Sequence, residues 1–271
     1  MYKINEAISF RSLFRITLLL FCFIFPHKTY SQDVENFEKK CTVVLTYDDG
    51  LDVHLDNVIP ALDKHGFKGT FYIPGNSPSL AKRLEEWRSL ARNGHELGNH
   101  TLFHPCFGKS MKREWVNENY DLDIYSIERF ADEILLANTL LKSLDGKTKR
   151  TFAYTCGDKE IKGEHIWDKI GNEFSAARGV NRELLKLDNI NIKEIGSFMV
   201  MNHPADEMIE WVKEAMKHNS LIVFLFHGVG GGHDINVSLQ DHNKLLQFLK
   251  ENEKVIWVAP LIEVADYISS N

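Results

Sequence analysis

Strand-like apolar runs alternate with amphipathic helical stretches along most of this chain, and that alternation restricts it to parallel α/β architectures. The runs fall at residues 42–46, 69–74, 150–154, 197–201, 221–226 and 255–258, with shorter ones at 96–99 and 174–176. Helical spacing appears at 58–64, 79–93, 124–144, 159–170, 205–217 and 238–251. In the stretch 124–144, Ile127, Phe130, Ala131, Ile134, Leu135 and Leu141 make one apolar stripe. About seven strand–helix pairs in one domain fit a closed or nearly closed barrel better than an open sheet.

The first residues stand apart from this pattern. Lys3, Arg11 and Arg15 precede the apolar run 16–25, and a polar stretch follows, ending Thr29-Tyr30-Ser31. A basic start, a short apolar core and small residues before a cut make a signal-peptide layout over 1–31. The run is shorter than the roughly 20 apolar residues of a membrane span. Cleavage leaves a short mature segment, 32–40, and one sizeable domain, 41–271. The expected location is therefore exported, periplasmic or extracellular, with no stable membrane association after cleavage. The formal charge of −6 becomes about −9 once the leader's basic residues are gone. An acidic export product has no electrostatic attraction for nucleic acid. Of four cysteines, Cys41, Cys106 and Cys156 remain, which permits one bridge and one spare thiol.

Two motifs carry the chemistry. The β-branched run 41–46 ends in Thr46-Tyr47-Asp48-Asp49-Gly50, so Asp48 and Asp49 sit at the C-terminal lip of a buried strand, where α/β folds build their sites. Residues 98–105 read G-N-H-T-L-F-H-P and place His100 and His104 four apart. Two histidines and one carboxylate fill three positions of a divalent cation and leave another for water. Successive side chains diverge along a strand, so the two aspartates cannot both face one metal. One is a ligand, and the other is placed to take a proton from that water.

The apolar run 221–226 delivers His227 to the same lip, followed by Gly228-Val229-Gly230-Gly231-Gly232-His233-Asp234. That glycine run lacks the Lys-Ser/Thr and the immediate helix of a phosphate-binding loop. Arg178, in Ser175-Ala176-Ala177-Arg178-Gly179, also follows a strand-like run.

In this order the motifs resemble those of the polysaccharide deacetylases of carbohydrate esterase family 4, the NodB-homology domain. T-Y-D-D-G resembles the family's first motif, His100-Thr101-Leu102-Phe103-His104 its second, and Leu225-Phe226-His227 its late L-x-H motif. The resemblance runs from about Cys41 to Ile268 and implies an α/β fold, a distorted (β/α) barrel of about seven parallel strands in a single domain. It also implies one divalent metal (zinc first, with cobalt, nickel or manganese as alternatives) and an acetylated carbohydrate as partner. Carried over, Asp49, His100 and His104 hold the metal, Asp48 is the general base and His227 the general acid. The third motif departs from the family's R-x-P-Y-G and reads Ala153-Tyr154-Thr155-Cys156-Gly157. Its missing arginine normally orients the base. Arg178 is the expected replacement, paired with Asp48 or with a carboxylate supporting the site. The Cys156 N–H, with Tyr154 and Thr101, is assigned to the oxyanion and substrate. Asp158 and His233 are further candidate supporting groups. Cys106 and Cys156 both belong to loops expected at the lip and are expected to form a disulfide, leaving Cys41 free.

The favoured activity is N-deacetylation of N-acetylglucosamine-type sugars. An O-acetyl esterase on xylan-type glycans is the alternative, because the same groups serve amide and ester hydrolysis. An inactive sugar-binding member is a further alternative, weakened by the intact metal and proton-transfer residues. A non-haem iron facial triad uses the same ligand types, but it belongs on an antiparallel barrel. Trp167, Trp211 and Trp257 are candidates for either core or sugar subsite.

Overall fold

The computed structural model describes residues 39–270, so the expected leader and most of the segment 32–40 lie outside the described residues. The central sheet has eight parallel strands: β1 (Cys41–Asp48), β2 (Thr70–Ile73), β3 (Glu96–Asn99), β4 (Thr151–Ala153), β5 (Ala176–Arg178), β6 (Phe198–Met199), β7 (Leu221–Phe226) and β8 (Ile256–Val258). Seven form the path β5-β4-β3-β2-β1-β7-β6, and β8 pairs with β1 beside that path. Along one edge β1 pairs first with β8, from Cys41 to Val43, and then with β2, from Thr46 to Asp48. Its other edge is covered by β7. The chain entering β6 runs beside β5: Ile195 N donates to Ala177 O at 2.7 Å and Gly179 N to Ile195 O at 2.8 Å. These bonds bring the two ends of the sheet together as a distorted barrel.

Every residue of β1 is buried, as expected for a parallel strand covered on both faces. Alternation sends Val43, Leu45 and Tyr47 outward against Leu62, Trp87, Trp211 and Leu246 from the surrounding helices. Val44 points inward with Tyr72, Val223 and Leu261. Asp48 shares that inward parity at the top of the barrel.

A helix at Leu261–Ser270, absent from the expected elements, packs Leu261, Val264 and Ala265 beneath the strands. Its first amides are capped from within the barrel. Leu261 N donates to Thr70 Oγ1 at 2.8 Å and Ile262 N to Glu96 Oε2 at 3.0 Å. The other oxygen of Glu96 accepts from Thr151 N and Oγ1, both at 2.7 Å. A buried carboxylate is tolerated here because donors converge on it at a helix N-terminus.

Three expected elements differ. The stretch 159–170 begins as an antiparallel hairpin, Glu160–Ile161 with Glu164–His165, and only Trp167–Ile170 is helical. Lys162 and Gly163, at φ 51° and 84°, supply the two-residue turn. The stretch 79–93 breaks at Arg83, φ −123°, into Pro78–Lys82 and Leu84–Arg92. The strand expected at 174–176 is Ala176–Arg178, so Arg178 ends the strand instead of following it.

Three histidines buried outside the metal-ligand motifs link the fold to pH. Burial pushes His54 and His95 from 6.5 down to about 4 and His242 down to about 3. Between the unfolded value of 6.5 and these folded values the unfolded chain holds more protons, so stability falls as pH drops through that window. Each such group contributes about 1.4 kcal/mol per pH unit there. Urea unfolding from pH 7 to pH 4 should show this loss, with a shallower slope in His242→Gln. A flat profile contradicts it.

Candidate active site

The strand ends hold five acid and imidazole groups around one point: Asp48, Asp49, His100, His104 and His227. Asp48 closes β1, and Asp49 turns at once into the left-handed region, φ 77°, so the two carboxylates diverge. His100 follows β3, and its Nδ1 lies 3.0 Å from the Ala153 carbonyl. Nδ1 must therefore carry the proton, which leaves the lone pair on Nε2. That Nε2 faces Asp49 Oδ1 at 3.7 Å, and His104 Nε2 faces the same oxygen at 3.4 Å. Thr101 builds the turn between them: its Oγ1 accepts from His104 N at 2.8 Å, and its own N donates to Asn99 Oδ1 at 2.8 Å. Asn99 Nδ2 in turn donates to Ile134 O and Asn138 Oδ1, tying the motif to the helix Ile127–Asp145.

The ligand atoms of Asp49, His100 and His104 lie within 4.8 Å of one another. Two imidazoles and a carboxylate, one imidazole with its lone pair already aimed inward, fit a zinc-type ion. His104, Cys106 and Cys156 also cluster, but the two sulfurs form a disulfide and offer no thiolate. Cys41 is free and buried.

Arg178 is fully buried, and its guanidinium donates from Nη2 to Asp48 Oδ2. In the β4–β5 register it pairs with Ala153, so the cation comes from the next strand at the level where the third motif lacks one. Burial alone would raise the Asp48 carboxyl. The Arg178 charge and hydrogen bond, with His100 and His227 nearby, outweigh burial and hold it below the usual 3.8. Asp48 Oδ1 has no partner. Tyr72 forms the floor, with Arg178 Cζ 5.1 Å from its ring centroid and its OH 2.8 Å from Thr151 Oγ1. Gly98 makes room for that ring, since a Cβ there would lie 2.4 Å from Tyr72 Cδ1.

His227 leaves β7 with Nε2 3.9 Å from Asp49 Oδ2 and Nδ1 buried without a partner. Burial lowers its pKa against the opposing pull of Asp48 and Asp49. Its carbonyl accepts from His54 Nε2 at 2.8 Å, while His54 Nδ1 accepts from Leu51 N at 3.2 Å. His54 is thus a buried strut behind the first motif, and the motif pattern does not single it out.

The remaining expected residues divide. Cys156 sits at the third strand-end loop with φ 56°. Tyr154 turns away from the site. Its hydroxyl donates to Lys193 O at 2.7 Å and its ring packs against Phe152 and His165, so neither reaches a substrate. Asp158 accepts from Phe107 N at 2.8 Å and pairs with Arg113 at 2.6 Å, anchoring the loop that follows the second motif. Trp167 and Trp211 belong to the core.

Two signatures of function converge here. Of eight non-glycine residues at positive φ among the described residues, Asp49, Thr101, His104 and Cys156 line this site. Of eight buried side-chain atoms without a partner among the described residues, Asp48 Oδ1, Arg178 Nε and Nη1, and His227 Nδ1 belong to it.

The sequence profile of the polysaccharide deacetylases matches residues 35–172, just over half of the chain. The chain belongs to the polysaccharide deacetylase family. The chain is 34% identical over 84 residues to a peptidoglycan-N-acetylglucosamine deacetylase of Bacillus cereus, a match covering 29% of this chain and 28% of that protein. It is 35% identical over 99 residues to the peptidoglycan-N-acetylglucosamine deacetylase PgdA of Listeria monocytogenes, covering 34% and 20% respectively. These matches span less than a third of either relative. In fold the chain is similar to the Xyl-CE4 domain of a multidomain xylanase from the hindgut metagenome of Trinervitermes trinervoides. That likeness has a TM-score of 0.54 and 17% identity, and covers 86% of this chain and 93% of that one. The Bc1960 peptidoglycan N-acetylglucosamine deacetylase has a similar fold, with a TM-score of 0.51 and 19% identity, covering 87% and 96%.

Proposed function

We propose that this protein is a metal-dependent hydrolase that removes N-acetyl groups from an N-acetylglucosamine-type glycan. The observation that carries the reading is the pairing of buried Asp48 with Arg178 beside the cluster of Asp49, His100 and His104. Those three residues would hold the ion, zinc by preference, which when bound supplies a Lewis acid and a more acidic water. Arg178 keeps Asp48 ionised, and the unpartnered Oδ1 of Asp48 is the atom that accepts the proton from the attacking water. The Cys156 N–H, on its left-handed turn, is the chain's own donor to the oxyanion. His227 presents Nε2 to the opening, where it delivers a proton to the departing nitrogen. The names of the bacterial relatives favour an N-acetyl substrate. The Cys106–Cys156 disulfide favours an oxidising, exported location, periplasmic or extracellular.

Acetate release from chitooligosaccharides, peptidoglycan and acetylated xylan, each with and without a chelator, tests the reading. Release from the first two, abolished by chelation and restored by zinc, is expected. Release from xylan alone makes the enzyme an ester hydrolase, and no release from any of the three argues for a binding member.

A further inference from the structure

The glycine run after His227 has no part in the reading above, yet it is built as a closed and anchored loop. Gly228 N donates to Ile235 O at 3.0 Å and Gly230 N to Val237 O at 2.8 Å, while Gly231 N donates to Asn236 Oδ1 at 2.9 Å. Asn57 Nδ2 holds Val229 O at 2.7 Å, and Asn202 N holds Asn236 O at 2.7 Å. Two of the glycines are sterically required. A Cβ at Gly228 would lie 2.4 Å from Gly231 O, and one at Gly232, φ 84°, would lie 2.8 Å from Val53 Cγ2. The loop therefore returns over the site and stacks the His233 ring on His227, centroids 4.9 Å apart at 22°.

One hydrogen bond to His233 fixes its tautomer. Ile235 N donates to His233 Nδ1 at 2.9 Å, so Nδ1 holds the lone pair and the neutral ring carries its proton on Nε2. This is the reverse of His100, whose Nδ1 meets a carbonyl. His233 Nε2 faces Asp49 Oδ2 at 3.7 Å, opposite the Oδ1 that faces His100 and His104. The two sides of one carboxylate thus meet opposite tautomers: a lone pair from His100 and an N–H from His233.

We propose that His233 is a positioning residue that holds Oδ2 of Asp49 through its Nε2–H, so that Asp49 presents Oδ1 alone to the ion. The separation exceeds a direct hydrogen bond. Polar contacts at such sites are often long in the unloaded state and tighten when the site is filled. Orienting partners of ligands are commonly worth about 10–100-fold in metal affinity. The inference rests on the metal-binding reading above.

The test is zinc affinity of the purified protein, measured by competition with a chromophoric chelator. His233→Phe keeps a flat ring on His227 and removes the donor, whereas His233→Gln keeps an N–H donor and removes the ring. The Phe variant should bind zinc about 10–100-fold more weakly, and the Gln variant should recover most of the loss. Should the Phe variant fold poorly, His233→Ala removes the donor without crowding and carries the same expectation. Parent-like affinity in the donor-free variant, or loss in Gln alone, overturns the role of His233. A parent that binds no zinc, or binds it equally after His104→Ala, instead overturns the metal reading on which the role rests.

Discussion

Asp48→Asn should lower acetate release by roughly 10²–10⁴ while stoichiometric zinc is retained. The amide is nearly isosteric, so the inward position at the end of β1 is kept. What disappears is the basic oxygen: Oδ1 is buried without a partner, and Oδ2 is held by Arg178. The metal cluster uses the neighbouring carboxylate, Asp49, and should not notice the change. Metal analysis beside single-substrate kinetics separates the roles. Zinc lost in Asp48→Asn, and kept in Asp49→Asn, would mean that the two aspartates are reversed.

Arg178→Met should cost about 3–5 kcal/mol of stability and most of the activity, because it leaves the Asp48 charge buried without its cation. Arg178 is fully buried, and no other Arg or Lys forms a salt bridge to Asp48 among the described residues. Arg178→Lys restores a charge without the planar fork, so it should fold better than the Met variant yet turn over more slowly than the parent, with zinc affinity largely intact. Combining Arg178→Met with Asp48→Asn removes both buried charges and should recover much of the lost stability. Urea unfolding of the four proteins gives the comparison. A Met variant as stable and active as the parent removes Arg178 from the site.

Much of this arrangement was legible in the sequence because its signals are local. The run before Asp48-Asp49-Gly50 is apolar and β-branched, so strand and lip follow directly, and each of the eight sheet strands overlaps an expected strand-like run, although β3 is only Glu-Leu-Gly-Asn. The Arg178–Asp48 pair was legible through the family resemblance, which implies an arginine beside the base where the third motif has Ala153. What escaped was tertiary. Periodicity could not distinguish the hairpin at 160–165 from a helix, because its decisive feature is a two-residue turn at Lys162-Gly163. Arg178 reads as polar, which puts it beyond its strand in the sequence pattern, although burial of a guanidinium against Tyr72 and Asp48 makes it the last strand residue. His54 and Tyr72 act through partners distant in the chain, and nothing beside them in the sequence announces it.

The position of β1 has a kinetic consequence. Its partners on one edge include β2, close by in sequence, but β7 and β8 lie across the whole domain: Cys41 pairs with Ile256 and Tyr47 with Phe226. Closing loops of that length delays assembly relative to local helix formation. The strand that ends in Asp48 and delivers Asp49 just beyond it therefore reaches its final surroundings late, after residues 221–258 have docked. Helices such as Ile127–Asp145 can form early, but the carboxylates, the histidines and Arg178 converge only as the barrel is completed. Competence to hold an ion should appear in refolding as a slow phase, together with burial of Tyr47 and behind the first gain of helix.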